Sequence, residues 1–424
     1  MKKAKALTSD TLRSMKSRNF RLFFYGQLVS TTGTWIQTIA LGWLVLRLTN
    51  SGVAVGVITA LQFLPMLLLG TYGGVIADRL DKRRTLIATQ SGMAVTSAAL
   101  AAVTIAGADP LWALYLLTFV SGAFFAVDMP VRQSFLSEMV GTDDLPNAVA
   151  LNSAMFNTSR IIGPAIGALL IKLVDVGPCF AANAVSFLAV IAGLVLMREH
   201  ELYRTTPVPR AKRQAREGLA YVWRTPELRA TILVLAVVGT LAFNFTVVLP
   251  VLAKFTFGGD AGTYGWFSSL MGVGSVIGAL GVASKLRPTA KLLVGSGLAF
   301  GAVMLVSAVV PTLMSEYVLM VLLGTTSITF MATCNSTCQL TSVPEMRGRV
   351  MALYGLVFLG STPIGGPIVG WISQDFGPRW GMAVGGIATL LAAGAMAWVL
   401  LRREFSIRRG RQVTEFDPAE VAAA

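Results

Sequence analysis

Ionisable side chains are rare inside the apolar stretches of this sequence, so the few that occur there are the first candidates for chemistry. Arg160 lies about thirteen residues into one such stretch, and Asp128 lies near the end of the preceding one. An arginine at the centre of a membrane helix costs roughly 2.5 to 3.5 kcal/mol, so Arg160 should face a partner or a wet cavity. Asp128 is the nearest candidate acid. The two could form a functional pair in a cavity or a static tie between two helices, and the sequence leaves both open.

The composition offers little material for metal or redox chemistry. The chain has one His and three Cys. Cys179, Cys334 and Cys338 all fall in apolar stretches, where we expect them to be small buried hydrophobic residues. The sequence also lacks a glycine-rich nucleotide-binding loop that ends in Gly-Lys-Ser or Gly-Lys-Thr. We therefore predict no catalytic group, no metal site, no cofactor and no enzymatic activity.

The elements that must position these residues are long and apolar. Of the 424 residues, 54% are hydrophobic and 13% are charged, about half the usual charged fraction of roughly 25%. A bilayer core about 30 Å thick needs about 20 apolar residues in a helix. Twelve stretches qualify, and the sequence therefore predicts an all-α membrane protein with twelve transmembrane helices: 20–46, 52–77, 85–106, 110–130, 147–172, 178–197, 229–252, 264–284, 290–310, 315–338, 350–373 and 380–402.

The positive charge is concentrated on one side of these stretches. The formal net charge is +14, and 30 of the 35 Lys and Arg residues fall in the chain ends and in alternate connections. Cytoplasmic loops of membrane proteins carry such an excess. We therefore expect both termini in the cytoplasm, and we interpret the basic charge as an orientation signal, which argues against a nucleic-acid partner.

The chain divides into two similar halves. A basic, proline-containing connection separates six stretches from six, and Gly163-Pro164-Ala165-Ile166-Gly167 in the first half matches Gly366-Pro367-Ile368-Val369-Gly370 in the second. Duplicated six-helix halves are typical of transporters. The prediction is a bundle at 1–197, a cytoplasmic linker at 198–228, a second bundle at 229–402 and a cytoplasmic tail at 403–424.

Three motifs indicate a family. The connection from Gly74 to Arg84, which contains Ala77-Asp78-Arg79, resembles the signature loop of the major facilitator superfamily, although Asp81 replaces a customary glycine. Phe20-Arg21-Leu22-Phe23 and the segment from Pro344 to Val350 are similar to the branch that contains enterobactin exporters and macrolide efflux proteins. The resemblance covers the whole chain and implies two six-helix bundles that rock about a central site.

From this resemblance we expect a secondary active exporter in a bacterial cytoplasmic membrane. It would move a bulky amphipathic molecule, siderophore or drug-like, by alternating access and proton antiport, with no cofactor other than the proton gradient. Its partners would be the small-molecule substrate and membrane lipid, and the protein would be a monomer. The alternatives are an importer or a flippase of lipid-like molecules with the same fold, and a membrane receptor that transports nothing.

Proton antiport needs an acid that can exchange a proton. The sequence shows no glutamate within an apolar stretch, which leaves Asp128 and Asp78 as the acids associated with the spans. Together with Arg160, Asp128 is therefore our candidate for coupling.

A substrate cavity should lie near the membrane midplane between the halves. Polar or aromatic residues at a suitable depth are the candidates, although each could instead serve helix packing: Trp35, Gln37, Gln62, Phe124, Asn157, Asn244 and Asn335. A second set, small residues and prolines, is expected at helix crossings and hinges: Gly163, Pro164, Gly167, Gly366, Pro367 and Gly370.

The signature loop is a candidate conformational latch. Asp78 could accept hydrogen bonds at a neighbouring helix N-terminus or pair with a base on another inner helix end. Such a contact would form only when the inner ends of the halves meet, which favours the outward-facing state. The latch residues would be Gly74, Asp78, Arg79, Lys82, Arg83 and Arg84, and the basic members could alternatively be plain orientation charges.

Asp78→Asn should lower transport turnover, because it removes the charge that holds the inner ends together. The measurement is a transport assay at equal protein level in the membrane. Unchanged turnover would remove the latch from the mechanism.

Overall fold

The computed structural model describes residues 12–203, 214–283 and 289–410, and gives residues 71–79, 214–216, 283 and 399–410 as backbone only. Within these ranges the protein is helical and has no strands. The helices before the linker are α1 (Arg18–Thr49), α2 (Gly52–Arg79), α3 (Lys82–Ile105), α4 (Leu111–Val174) and α5 (Gly177–Val195). A short helix α6 (Gln214–Arg224) lies within the predicted linker, and Glu217 on it forms an ion pair of 2.8 Å with Arg349.

The remaining helices form the second half: α7 (Pro226–Leu241), α8 (Phe245–Val251), α9 (Ala261–Ala283), α10 (Ala290–Val309), α11 (Leu313–Thr341), α12 (Pro344–Asp375) and α13 (Pro378–Gly410). A π-helical segment, Leu252–Thr256, continues α8. Helix α13 runs into the predicted tail at 403, and residues 411–424 lie outside the described ranges.

Helix α4 crosses the bundle twice. Gly141 has φ 73° and ψ 178°, a conformation that breaks the helix into a first arm, 111–140, and a second arm, 142–174. The two ends of α4 lie on one side of the molecule, since Gly177 packs directly against Ile105. The second arm therefore returns to the side from which the first arm started, as the separate predicted spans 110–130 and 147–172 require.

In the part of the chain that the structure describes, ten helices are long and apolar enough to span a membrane, and α4 accounts for two crossings among them. Helix α1, with 32 residues, is absent from the ten because its polar residues reduce its hydropathy. Gln37 and Thr32 on α1 are hydrogen-bonded to neighbouring helices. Because these polar groups have partners inside the bundle, α1 can serve as the twelfth crossing, and the predicted all-α fold is confirmed.

The connections lie on two opposite sides of the bundle. We call the side with residues 12–17, 196–203 and 342–344 the terminal face. The side with residues 50–51, 106–110, 175–176, 257–260, 310–312 and 376–377 is the far face.

The two halves meet along α2 with α12 and along the second arm of α4 with α9. At the first crossing, a Cβ on Gly56 would lie 2.4 Å from the carbonyl oxygen of Gly366, and one on Gly370 would lie 2.3 Å from that of Gly52. These distances are shorter than any real Cβ contact, so glycine is required for this approach.

Hydrogen bonds join the halves at the far face. Lys254 Nζ donates to Asn50 Oδ1 at 2.6 Å and to the carbonyl oxygen of Leu46 at 3.2 Å. Ser51 Oγ donates to Gln374 Oε1 at 2.6 Å. The far face is therefore closed by both polar contacts and close helix crossings.

Gly274→Ala should destabilise the second half, because its Cβ would lie 1.9 Å from the carbonyl oxygen of Val321 and would force α9 away from α11. Overpacking of this kind typically costs about 1 to 3 kcal/mol. The matched control is Gly295→Ala, whose Cβ meets nothing within 4 Å. Melting curves of the purified variants should show a lower midpoint for Gly274→Ala only, and equal midpoints would contradict the crossing.

Candidate functional site

A continuous face of the second arm of α4 lies between the halves. Val149, Ser153, Phe156 and Arg160 share this face, because their spacing of four, three and four residues follows the helical turn. Val149 is 48% exposed and Phe156 is 49% exposed, whereas Arg160 is only partly exposed. This face is therefore exposed as far as Phe156 and becomes partly buried at Arg160, towards the middle of the bundle.

The neighbours of the second arm fix the direction of this face. Ser159 and Gly163 contact α1, since Thr32 Oγ1 donates to Ser159 Oγ at 3.1 Å and a Cβ on Gly163 would reach Trp35. Ile161 contacts α9 beside Gly272. At 3.6 residues per turn, Arg160 points between these two contacts, into the space bounded by both halves.

The Arg160 side chain has no hydrogen bond or ion pair with any residue in the described ranges. Asp128 does not contact it. The Asp128 carboxylate is fully buried and accepts hydrogen bonds from Thr89 Oγ1 at 2.9 Å and Gln90 Nε2 at 2.8 Å. Its other oxygen lies 3.3 Å from Nε of Arg132, one turn along the same helix.

The structure thus gives Asp128 a different basic partner from the one considered in the sequence. The i,i+4 spacing of Asp128 and Arg132 brings these side chains together without any rearrangement. Arg132 also donates to Gln27 Oε1 on α1 at 2.9 Å. Asp128 therefore belongs to a polar cluster that joins α1, α3 and the first arm of α4, and Arg160 lies apart from it.

Trp35 and Phe156 form an aromatic pair beside Arg160. Their ring centroids are 6.2 Å apart with an edge-to-face arrangement. Phe156 precedes Arg160 by one turn on the same helix face, so an apolar surface adjoins the guanidinium group. Of the predicted cavity residues, Trp35 is therefore placed next to the unpaired charge.

Gln37 lies in the interior of the first half. Its Oε1 accepts hydrogen bonds from Ser97 Oγ and Asn183 Nδ2, each at 2.8 Å. Ser97 and Asn183 are buried, so Gln37 joins α1 to α3 and α5.

Asn244 lies at the break between α7 and α8 and is fully buried. Its Nδ2 donates to the carbonyl oxygen of Thr240 at 2.7 Å, while its Oδ1 has no partner within the described part of the chain. Discontinuous helices often supply binding groups in transporters. Asn244 therefore remains a candidate on the second half.

The other predicted cavity residues are partly buried and contact neighbouring helices or their own helix. The backbone of Gln62 packs against Gly122, and the Phe124 ring packs against Gly92. Asn157 donates to the carbonyl oxygen of Ser153 at 2.9 Å, and Asn335 accepts from Gln339 at 2.7 Å. The structure shows no direct link among these four residues.

The described members of the predicted latch bind within the first half. Lys82 pairs with Glu138, and Arg83 pairs with Glu199 and donates to the carbonyl oxygen of Val195 at 3.0 Å. Arg84 lies in the first turn of α3, and its backbone NH donates to Oδ1 of the N-cap residue Asp81 at 2.9 Å. The side chains of Gly74, Asp78 and Arg79 lie outside the described part, so the latch stays a prediction.

The predicted packing and hinge residues lie at helix crossings. Gly163 and Gly167 face α1, and the carbonyl oxygen of Pro164 faces Gly265 on α9. Gly366, Pro367 and Gly370 face Gly52 and Gly56 on α2. Whether they also act as hinges remains a prediction.

Sequence reasoning was wrong to find no glutamate in an apolar stretch. Glu316 lies in the first turn of α11, is fully buried and accepts a hydrogen bond from Ser307 on α10. The signal was present, because Glu316 is the second residue of the predicted span 315–338. The far-face contacts of Lys254 and Gln374 were also missed, since a sequence does not show which helix ends meet.

Comparisons with known proteins agree with this architecture. Residues 9–423 match the family model described as transmembrane secretion effector. The Staphyloferrin A transporter of Staphylococcus aureus is 25% identical over 92% of this chain and 97% of its own length. The multidrug efflux pump Tap of Mycolicibacterium fortuitum is 26% identical, covering 84% of this chain and 89% of the pump.

A crystal structure of a bacterial homologue of the human lysosomal transporter Spinster, inward-facing and unoccupied, has the same fold. Its TM-score is 0.69 at 13% identity, and the match covers 94% of this chain and 99% of that one. The chain therefore belongs to the transmembrane secretion effector family of the major facilitator superfamily. The family and fold expected from the motifs are confirmed, and the protein is a multi-pass membrane transporter.

Gln37→Leu should lower the melting temperature, because it leaves the buried donors of Ser97 and Asn183 without their acceptor. Loss of a buried partner costs about 1 to 3 kcal/mol. Asn157→Leu is the control, because Asn157 bonds only to its own helix. If Gln37→Leu melts like the wild type and changes only substrate affinity, Gln37 belongs to the substrate site.

Proposed function

We propose that this transporter exports a bulky amphipathic molecule, siderophore or drug-like, from the bacterial cytoplasm by alternating access. The observation that carries the proposal is the α4 face that is exposed from Val149 to Phe156 and partly buried at Arg160, together with the closed far face. A cavity with this shape receives its substrate from the terminal face.

The charge distribution supports placing that face in the cytoplasm. Among the described residues, most Lys and Arg lie at or near the terminal face, and such residues are retained on the cytoplasmic side. The described conformation is then inward-facing. Both chain ends would be cytoplasmic, and the membrane would be the bacterial inner membrane.

The relatives support a small-molecule substrate. One is named a Staphyloferrin A transporter and another a multidrug efflux pump. The partly exposed aromatic side chains of Trp35 and Phe156 offer an apolar surface to such a molecule. The transporter would act as a monomer in contact with membrane lipid, and it would need no cofactor.

Proton antiport would drive export, with Asp128 as the acid that exchanges the proton. Asp128 is fully buried in the first half, and its polar cluster joins α1, α3 and the first arm of α4. These three elements would move together during alternating access. One charge that crosses about 150 mV is worth about 3.5 kcal/mol, which supports a gradient of a few hundredfold for a neutral substrate. A single acid would therefore suffice.

Glu316 is a less suitable proton carrier for this cycle. It lies at the far-face end of α11, bonded to Ser307, and Arg379 near it donates to the carbonyl oxygen of Val310 at 2.9 Å. It lies in a different half from the Asp128 cluster. Glu316 therefore provides a matched control for a buried carboxylate.

Everted membrane vesicles test both parts of the proposal. With an acidic lumen, a panel of siderophores, macrolides and dyes should contain a compound that accumulates inside, and a protonophore should abolish the accumulation. Asp128→Asn should abolish the proton-driven component, while Glu316→Gln should retain it.

Other outcomes have distinct meanings. Accumulation that persists after the proton gradient is collapsed contradicts antiport. Accumulation only in right-side-out vesicles indicates an importer, and movement of a lipid-like molecule between leaflets indicates a flippase. Binding without any transport indicates a receptor.

A further inference from the structure

Arg160 is a charge in the middle of the protein, and no described residue supplies its counter-charge. It lies 14 residues before the end of α4 at Val174, or about 21 Å along the helix axis. It also lies 18 residues, or about 27 Å, after the start of the second arm at 142, so Arg160 is near the middle of an arm that is longer than a bilayer core of about 30 Å. The cost of placing a guanidinium group there must be offset by water or by an anion.

The side chain is directed at the space between the halves and away from lipid. The lipid side of the second arm is marked by Ile162 and Leu169, which are exposed. Ile162 follows Arg160 by two residues, or about 200° around the helix, so the two side chains point in nearly opposite directions. A cavity-facing arginine can meet a ligand that enters between the halves.

The buried acids of the described chain are already bound elsewhere. Asp128 accepts from Thr89 and Gln90 beside Arg132, Glu138 pairs with Lys82, and Glu316 accepts from Ser307. Since the Arg160 side chain has no bond within the described ranges, the described part of the chain supplies no anion to it. The anion that balances the charge of Arg160 would then belong to the ligand.

Arginine suits one class of anion in particular. Its planar guanidinium offers a fork of donors that matches a carboxylate with two parallel hydrogen bonds. Phe156 lies one turn from Arg160 on the terminal-face side, and its aromatic partner Trp35 packs against Gly163, one turn from Arg160 on the other side. A molecule with an acidic group and an adjoining apolar part would contact both features.

We propose that Arg160 binds the carboxylate of the transported molecule while Trp35 and Phe156 contact its apolar part, so that amphipathic organic acids are the substrate class. The inference rests on the proposed export function, because the bound acid is a substrate only if the protein transports it. It concerns a group of the ligand and gives Arg160 a role separate from proton coupling at Asp128.

The test uses a pair of probes that differ in charge. Protein in lipid nanodiscs is titrated calorimetrically with 2-naphthoate and with 2-naphthamide, and the signal of empty nanodiscs is subtracted. The wild type should bind the carboxylate at least tenfold more tightly than the amide. Arg160→Gln should reduce this ratio to about one and leave the affinity for the amide unchanged.

Two further variants separate charge from position. Arg160→Lys should keep part of the preference, because it retains the charge but loses the fork. Arg47→Gln should keep all of it, since Arg47 lies at the far face and pairs with Asp175 at 2.6 Å. That hydrogen bond also holds the pKa of Asp175 below its usual value.

Equal affinity of the wild type for both probes, binding of neither probe, or a preference that survives in Arg160→Gln overturns the proposal. The wild-type comparison decides even if Arg160→Gln fails to fold. If the wild type shows no preference for the carboxylate but retains proton-driven export, the acid site alone is contradicted. If the wild type prefers the carboxylate but exports nothing, the acid site is supported and the export function is contradicted.

Discussion

The close approach of glycine backbones between the two halves is the constraint on which this structure depends. Gly52 and Gly56 on α2 meet Gly366 and Gly370 on α12 at distances that leave no room for a side chain. A membrane interior supplies no hydrophobic drive for helix association, so close packing and hydrogen bonds must hold the halves together. Lys254 and Ser51 add such bonds at the same end. Because these contacts close the far face, the space beside α4 is accessible from the terminal face.

The polar groups inside the bundle divide into two kinds. Most have partners in their own half, as in the clusters of Gln37 with Ser97 and of Asp128 with Thr89. These bonds make each half a stable unit, because an unpaired polar group in the membrane is costly. Arg160 and Asn244 Oδ1 are among the polar groups that have no hydrogen-bond partner in the described chain. Groups that lack partners at membrane depth are the ones available to a ligand.

The sequence predicted the fold well because apolar length and charge asymmetry are direct consequences of the bilayer. The double crossing of α4 was foreseen from the polar residues between 130 and 147, and the paired Gly-Pro motifs indicated crossings that the structure contains. The site was harder to predict. Gln37 and Arg160 both interrupt apolar stretches. Only the packing of α3 and α5 against α1 shows that the side chain of Gln37 is hydrogen-bonded inside the first half. The partner of Asp128 was missed because a neighbour one turn away, Arg132, was counted as an orientation charge.

Access to the α4 face tests the central claim most directly. Ser153 is exposed on that face, and the native cysteines Cys179, Cys334 and Cys338 are buried, so Ser153→Cys can be labelled with little background. A membrane-impermeant maleimide should modify it in everted vesicles, where the cytoplasmic side is outside, and should leave it unmodified in right-side-out vesicles. Modification only in right-side-out vesicles would contradict the assignment of the open side, and no modification in either would contradict the cavity itself.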